Sequence, residues 1–509
     1  MHDYTCCTPI FRRMGRCFKV QTWESVAAII YDETATLSNA SPNTEIMDQT
    51  RNSVDVTERL VAYRLSQPPS GMRSRDAVQT YLHSESNLLF GHPTHPTPKS
   101  REGIDLDLLS RYSPETRQSF DLHYVEIDPE FLWSRDSIAG TCAEFLGKAE
   151  PPAKAGTDGL VLPVHPIQAR WLLHEPVVTR AISEGWLRDI GVLSKPYYAT
   201  SSVRTIINPD DPYFLKLSLH VRMTNCVRKN AVYELESAVA ITSWLNQDKA
   251  ARTALFPHLR VLTEPGSWSI DAQHFDAHER QTLIEGFGTI LRESFLHSLS
   301  PGETPFVAGG LFSSSLDGTN WLTHVTGITD AEKIAWFELY ANVLIPPLLY
   351  CLFHEGIVFE PHLQNVVIGL IGKRPRTIYL RDLEGTKRTP RARPMDGLTS
   401  TIQRSINYTE DAGWQRVAYC LFVNHLGEAI RHIARGRDNL SGKLWDCVAN
   451  AIADYQKTYG TVESAARLLP LLQGEPLPAK TLLLTRFHQR PDREASSISV
   501  NNPMLHGVW

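Results

Sequence analysis

The stretch GIVFEPHLQNVVI, residues 356–368, places Glu360, His362, Gln364 and Asn365 between apolar runs. An unpaired polar group in such a setting costs about 1–3 kcal/mol, so these side chains require partners. Downstream, RTIYLRDLEG reads as a strand ending in the loop 381–385, which carries Asp382. Asn365 and Asp382 are then hard oxygen donors offered from two neighbouring strand ends, a set that suits Mg2+. Protein kinases hold the metal ions on ATP with the same residue types in the same order. Glu360 lies five residues before Asn365, where a kinase carries its catalytic Asp. Taken in isolation, the same residues fit a buried hydrogen-bond network tying two strands together equally well.

A second constellation is SSVRT, with Ser202, Arg204 and Thr205, followed by Lys216, Arg222, Thr224 and Arg228. Cations and hydroxyls on one short ribbon suit a polyanion, because Arg forks onto phosphate or carboxylate oxygens and Lys acts as a point charge. Periodicity alone favours a solvated hairpin face with cross-strand ion pairs. A third is GHPTHPTPKSR, with His92, His95, Lys99 and Arg101. Its prolines hold the loop extended, and its basic groups can converge; an exposed turn with incidental histidines is the alternative. The His-x-x-His spacing lacks a nearby third zinc ligand. VHPIQ, with His165 and Gln168, reads as a satisfied core histidine. No Walker A motif is present, and GFGTIL at Gly286 lacks the third glycine and falls in a helical run, so a standard phosphate loop is not supported.

The elements that must position these residues are legible in outline. Residues 20–83 read as helical, with a turn-rich break at 91–98. Residues 135–175 mix helix with the Pro/Gly loop EPPAKAGTDG. Residues 197–230 read as a hairpin: YYATSSVRTII, a turn at NPDDP, then YFLKLSLHVRMT with period-two alternation. Residues 230–297 read as helical with a break near Pro265, and 330–354 as a long apolar helix. VVIGLIG and RTIYLRDLEG form two strands around GKRPR, and 411–470 is helical and amphipathic. The fold class is α+β, with hairpins set between helical blocks.

At 509 residues the chain has room for two to four units of about 150 residues. Its 42% hydrophobic and 21% charged content are those of an ordinary soluble globular protein. The net charge of -5 argues against a general nucleic-acid binder. Eight cysteines, Cys6 and Cys7 adjacent and the others scattered, with no Cys-x-x-Cys pair, suit reduced thiols in a reducing compartment. No apolar run follows Arg12 and Arg13, which excludes an ordinary secretory or twin-arginine signal. LYANVLIPPLLYCLF is too short for a membrane span and carries Pro346 and Pro347, so it reads as a kinked core helix. A cytoplasmic location is expected, with neither nucleic acid nor membrane as partner.

Nine pieces, GHPTHPTPKSREG, RYSPE, VHPIQ, SSVRT, KLSLHVRMTNCVR, GIVFEPHLQN, RDLEG, KTLLLTRF and NNPM, occur together and in order over about residues 80–505. In this combination the chain resembles the IucA/IucC family, the NRPS-independent siderophore synthetases. The resemblance implies a cupped-hand fold: a helical thumb-like domain at 1–80, fingers with β-hairpins at 81–255, and at 256–509 a palm distantly like the kinase C-lobe. It implies ATP-dependent activation of a carboxylate, typically citrate, as an acyl-adenylate with loss of pyrophosphate. An amine or hydroxyl then attacks, giving an amide or ester and AMP. Family members are often dimers.

By matching motifs, Ser202, Arg204 and Thr205 resemble the ATP segment, and Lys216 and His362 should contact phosphates. Arg228 would lie between the α-phosphate and the citrate carboxylates. Glu360, Asn365 and Asp382 resemble the Mg2+ ligands. His92, His95, Lys99 and Arg101, with Thr224, should receive the acid. Gln364 would orient its neighbours and contact ATP, and Lys480 would close the site. His95 or Glu360 are candidates for the base that takes the amine's proton. The chain departs from the family pattern in a shorter N-terminal region and in Pro361, where Ala is more usual. The rival readings are a kinase-like phosphotransferase and a non-catalytic member that binds ATP or a siderophore.

Overall fold

The structure is a computed structural model that describes residues 8–67, 76–147, 159–223, 226–314, 316, 321–490 and 495–504. It is a mixed helix-and-sheet fold built around two sheets. The large sheet has eight strands in the spatial order Leu132–Asp136, Gly266–Ile270, Thr289–Glu293, Tyr213–Leu217, Thr205–Ile207, Leu187–Ala199, Ser119–Ile127 and Leu160–Val164. Its neighbours are all antiparallel. The small sheet has four strands in the order Leu259–Val261, Arg374–Leu380, Val366–Ile371 and Glu303–Val307, the first pair parallel and the others antiparallel.

The long apolar helix is present as Asp330–Phe353, capped by Thr329 and Glu332 in a reciprocal capping box. It is long and apolar enough to cross a membrane, yet 67% of its apolar window is buried inside the fold. It packs against the helix Asp438–Tyr459 and the small sheet, in the core that contains Phe337, Leu344, Leu348, Ile368 and Trp445. A second core lies on the large sheet around Leu122, Leu162, Leu215 and Trp268. A third cluster joins the two sheets: Tyr81 and Leu82 of the helix Ala77–Glu85 meet Phe214 from the large sheet and Val307, Val367 and Tyr379 from the small one. Burial of these side chains, each worth a few kcal/mol, holds the two sheets together.

Three expectations need correction. Residues 230–297 are not one helical block, because Leu259–Val261, Gly266–Ile270 and Thr289–Glu293 are strands. All five residues of Gly266–Ile270 are buried, so both faces are covered and the alternation that marks a half-exposed strand is absent. GFGTIL correspondingly spans a helix end at Phe287 and the start of a strand at Thr289. YYATSSVRTII is not one strand; a tight turn separates Leu187–Ala199 from Thr205–Ile207. The run after NPDDP divides at Ser218, with Leu219–Met223 leaving to pair with Arg101–Glu102 and Cys226–Arg228. The N-terminal hairpin Phe11–Met14 and Cys17–Val20 was not foreseen. The loop EPPAKAGTDG lies outside the described residues except for Gly159.

Candidate active site

The SSVRT turn is held by its own hydroxyls. Ser202 Oγ accepts from Thr205 N at 3.1 Å, and Thr200 Oγ1 donates to Thr205 O at 2.8 Å. This closure forces Val203 to φ +67, a left-handed conformation that a β-branched residue rarely adopts. Strain of that kind persists only where surrounding contacts over-determine it, and it concentrates at functional sites. Arg204 is thereby aimed inward, donating to Asn230 Oδ1 at 2.6 Å, Lys229 O at 3.2 Å and Glu384 Oε2 at 3.1 Å. Lys216 stands opposite Thr205 on the adjacent strand, 2% exposed.

Lys216 Nζ donates to Asp382 Oδ1 at 2.7 Å and to Glu384 Oε2 at 2.8 Å, bridging 166 and 168 residues of chain. The ribbon around position 204 and the strand end at 382 therefore meet in direct contact. Arg292 completes the cluster: it forks onto Glu264 Oε1 at 3.0 and 2.7 Å and reaches Asp382 Oδ1 at 3.2 Å. Asp382 is itself left-handed, with φ +76. Burial disfavours ionising Asp382 and Glu384, but Lys216 and Arg204, joined at Asp382 by Arg292, outweigh it and hold both carboxyls well below their ordinary range. Burial, then the Glu384 charge, pushes the Glu234 carboxyl up to about 7.

The other half of the cleft is tied to the first by buried pairs. Gln364 Nε2 donates to Ser201 Oγ at 3.3 Å, linking EPHLQN directly to SSVRT. Arg381 pairs with Glu85 and donates to Tyr81 Oη, Ser201 Oγ and the Gln364 carbonyl, while Ser201 N donates to Glu85 Oε2. Glu360 pairs with Arg416, and its carboxylate lies against Gly385, where any Cβ would overlap it. Asn365 is 5% exposed, and its carbonyl accepts from Arg381 N at 3.1 Å. His362 is pushed down to about 4 chiefly by burial, with Lys480 and Arg381 adding to it against the pull of Asp382.

The 91–101 segment reaches the same region through its first half only. The His92 and His95 ring centroids lie 6.3 Å apart, and burial, then the charges of His95, His362 and Lys480, pushes His92 down to about 3. His92 Nε2 lies 3.2 Å from the Asn424 amide. His95 is 6% exposed, and its Nδ1 accepts from Thr97 N at 3.1 Å. Lys99 and Arg101 instead pair with the buried carboxylate of Glu115, Arg101 also donating to Ser113 Oγ at 2.6 Å. That pairing ties the loop to RYSPE. Arg228 ends the strand Cys226–Arg228 opposite Leu219, and Thr224 lies outside the described residues.

His165 is the core histidine expected, packed on Tyr112 and Phe120 and capping the helix Pro166–Leu172. Gln168 bridges Gly286 O and His220 N. Sequence reasoning assigned no role to Glu384, Arg292, Glu264, Asn230, Glu85 or Asn424. Glu384 stands inside the quoted RDLEG and was within reach; Arg292 sits in an unmarked buried strand and carried no local signal.

The chain is similar to known proteins over most of its length. A family model described as the IucA / IucC family matches residues 80–313, and one described as ferric iron reductase FhuF-like transporter matches residues 334–495. Among the described residues no group of three or more His, Cys, Asp or Glu side chains could hold a metal ion by itself. A spermidine-citrate ligase of Bacillus anthracis is 30% identical over 460 residues, spanning 84% of this chain and 74% of that protein. An L-2,3-diaminopropanoate–citrate ligase of Staphylococcus aureus is 27% identical over 97% of this chain and 86% of its own length. The solved structure of ATP-bound aerobactin synthetase IucA from Klebsiella pneumoniae superposes with a TM-score of 0.78 at 20% identity, over 98% of this chain and 89% of that one. The petrobactin biosynthesis protein AsbB from Bacillus anthracis gives 0.79, covering 98% and 85%. On the extent of these matches, the chain belongs to the IucA/IucC family.

Proposed function

We propose that the protein is an ATP-dependent ligase that adenylates a carboxylic acid, citrate being favoured, and joins it to an amine or hydroxyl in siderophore or related metabolite biosynthesis. The observation that carries this reading is the Lys216–Asp382–Glu384–Arg204 cluster, where the two motif-bearing halves meet. Similarity to proteins named as citrate ligases supports the acid, and likeness to a structure titled ATP-bound supports the nucleotide.

Ser202, Arg204 and Thr205 hold the triphosphate end of ATP, with Lys216, His362 and Gln364. Adenylation needs no protein nucleophile. A substrate carboxylate oxygen attacks the α-phosphorus, the bond to the β-phosphate oxygen breaks, and pyrophosphate leaves. Catalysis is then positioning and stabilisation of charge at the five-coordinate phosphorus, the work of Arg204, Lys216, Arg228 and His362. Glu360, Asn365 and Asp382 supply oxygen donors of the type Mg2+ takes, and the Glu360 carboxylate already lies against the loop of Asp382. Mg2+ held there would neutralise phosphate charge. The cations now on Asp382 and Glu360 are the groups that exchange partners when polyphosphate enters.

The acid is received by His92, His95, Thr224 and Arg228, while Lys99 and Arg101, held on Glu115, shape the segment. In the second half-reaction the amine forms the C–N bond, the C–O bond to AMP breaks, and a base takes the proton. His95 is the candidate base, because Glu360 is taken by the Mg2+ role. The thumb, fingers and palm division at 1–80, 81–255 and 256–509, with the palm like a kinase C-lobe, is the architecture that this reading implies. A soluble cytoplasmic enzyme, assembled as a homodimer, completes it.

The test is pyrophosphate release across a grid of carboxylic acids and amines. The reading expects release that requires citrate, ATP and Mg2+. ADP in place of AMP and pyrophosphate would favour the phosphotransferase, and saturable ATP binding with no turnover would favour the binding protein.

A further inference from the structure

Residues Tyr419–Gly427 form a π-helix of nine residues between the α-helices Glu410–Ala418 and Glu428–Ala434. π-Helical turns are rare and occur frequently at functional sites. Three side chains of this one reach three separate site segments. Lys480 Nζ lies over the Tyr419 ring, 5.6 Å from its centroid. Asn424 meets His92 at 3.2 Å. His425 Nδ1 donates to the Pro361 carbonyl at 2.8 Å, beside His362, while its Nε2 accepts from Tyr340 Oη. Asn424 and His425 are consecutive and both buried. The wider π turn leaves a smaller angle between successive side chains than an α turn, which lets two neighbours face adjoining loops.

The hydrogen bonding of His92 decides what Asn424 does. His92 Nδ1 lies 3.3 Å from the backbone N–H of Thr94, which can only donate, so Nδ1 is the lone-pair nitrogen. The ring is neutral, held down to about 3 by burial and by the charges of His95, His362 and Lys480. A neutral imidazole carries one N–H, which then sits on Nε2 and must donate. Asn424 is placed with Nδ2 at 3.2 Å from Nε2, which would set two donors against each other, so the amide is turned over and its oxygen faces Nε2–H, since amide orientation follows from the hydrogen-bond network.

We propose that Asn424 is a positioning residue of the acid-binding end of the cleft, its Oδ1 accepting from His92 Nε2–H and so anchoring the 91–101 loop to the π-helical segment. This rests on the reading that the 91–101 loop receives the acid. The same π-helical segment fixes EPHLQN through His425, so one element sets the distance between the acid loop and the phosphate-facing loop. The contact joins positions 332 residues apart, one in each of the two family-model matches.

Two measurements test it. In long-range 15N–1H correlation spectra of histidine-labelled protein at pH 8, with His92 assigned by a His92→Asn variant, the wild type shows the Nε2–H tautomer and Asn424→Ala shows a mixture. In pyrophosphate release, Asn424→Ala raises the citrate KM about tenfold, the scale for one lost buried hydrogen bond, with the ATP dissociation constant within twofold. Asn424→Asp, whose carboxylate also accepts from Nε2–H, restores the citrate KM to within about threefold. An Nδ1–H tautomer in the wild type overturns the proposal. So does a citrate KM in Asn424→Ala within twofold of wild type, or an equal loss of both substrates. Failure of the functional reading looks different: the wild type itself releases no pyrophosphate with citrate, while the tautomer result stands.

Discussion

Replacing Lys216 with Met removes the one ammonium that touches both cleft carboxylates. At 2.7 Å and an effective dielectric of about 20, each contact is worth about 6 kcal/mol of Coulomb energy, most of it offset by the desolvation of a buried ammonium. Breaking a buried ion pair typically costs about 3–5 kcal/mol, because the partner is left uncompensated. Here the partners are 34% and 35% exposed, and each keeps a second cation: Arg292 at 3.2 Å for Asp382 and Arg204 at 3.1 Å for Glu384. Solvent screening and the remaining cations lower the expected loss to about 2–3 kcal/mol. Urea unfolding followed by fluorescence reads this directly. The double variant Lys216→Met, Glu384→Gln removes the uncompensated charge as well, so it recovers part of the stability. Adenylation, followed by pyrophosphate release, falls about 10²-fold or more in both variants, because both lack the Lys216 ammonium at the phosphates. Stability and activity thus separate. Wild-type stability in Lys216→Met would refute the buried cluster, and a rate within threefold of wild type would refute a role at the phosphates.

Other perturbations report on different parts of the cleft. Arg204→Ala should lower pyrophosphate release about 10²-fold, the scale for one lost transition-state donor, and a wild-type rate shows the assignment to be wrong. Glu85→Gln removes a carboxylate that is 0% exposed and leaves the guanidinium of Arg381 buried, so about 3–5 kcal/mol of stability should be lost in denaturant unfolding. Glu234, raised from 4.5 to about 7, contributes stability that is complete below pH 4.5 and is lost as pH rises through 7. Glu234→Gln should therefore gain thermal stability relative to wild type between pH 5 and pH 8, and a constant difference in Tm contradicts the shifted carboxyl. His165, lowered to about 3 by burial, costs stability as pH falls through 6.5 towards 3, because the unfolded chain binds a proton that the folded one refuses. His165→Asn, which keeps an oxygen to cap Ile167 N, should lessen the fall in Tm over that range; an unchanged profile shows that His165 does not titrate on unfolding.

Much of the local chemistry was legible in the chain itself. The motifs SSVRT, EPHLQN and RDLEG carry their own donors, and the long apolar helix announces itself through composition. The strands Gly266–Ile270 and Thr289–Glu293 were not legible, since burial on both faces erases the period that marks a strand. Nor was the partnership of each charge. Lys99 and Arg101 look like substrate ligands in sequence, but RYSPE brings Glu115 to them. Asp382 looks like a free oxygen donor, but Lys216 and Arg292 arrive from a different sheet.

The sequence by itself determined which groups were available and roughly which segments presented them. Only the tertiary structure decided which group faces which, because the junction of Tyr81, Phe214, Val307 and Tyr379 brings together segments that span 298 residues of chain, from position 81 to position 379. Ion pairing depends on separations of a few ångströms, and those are set by long-range packing that no local pattern encodes.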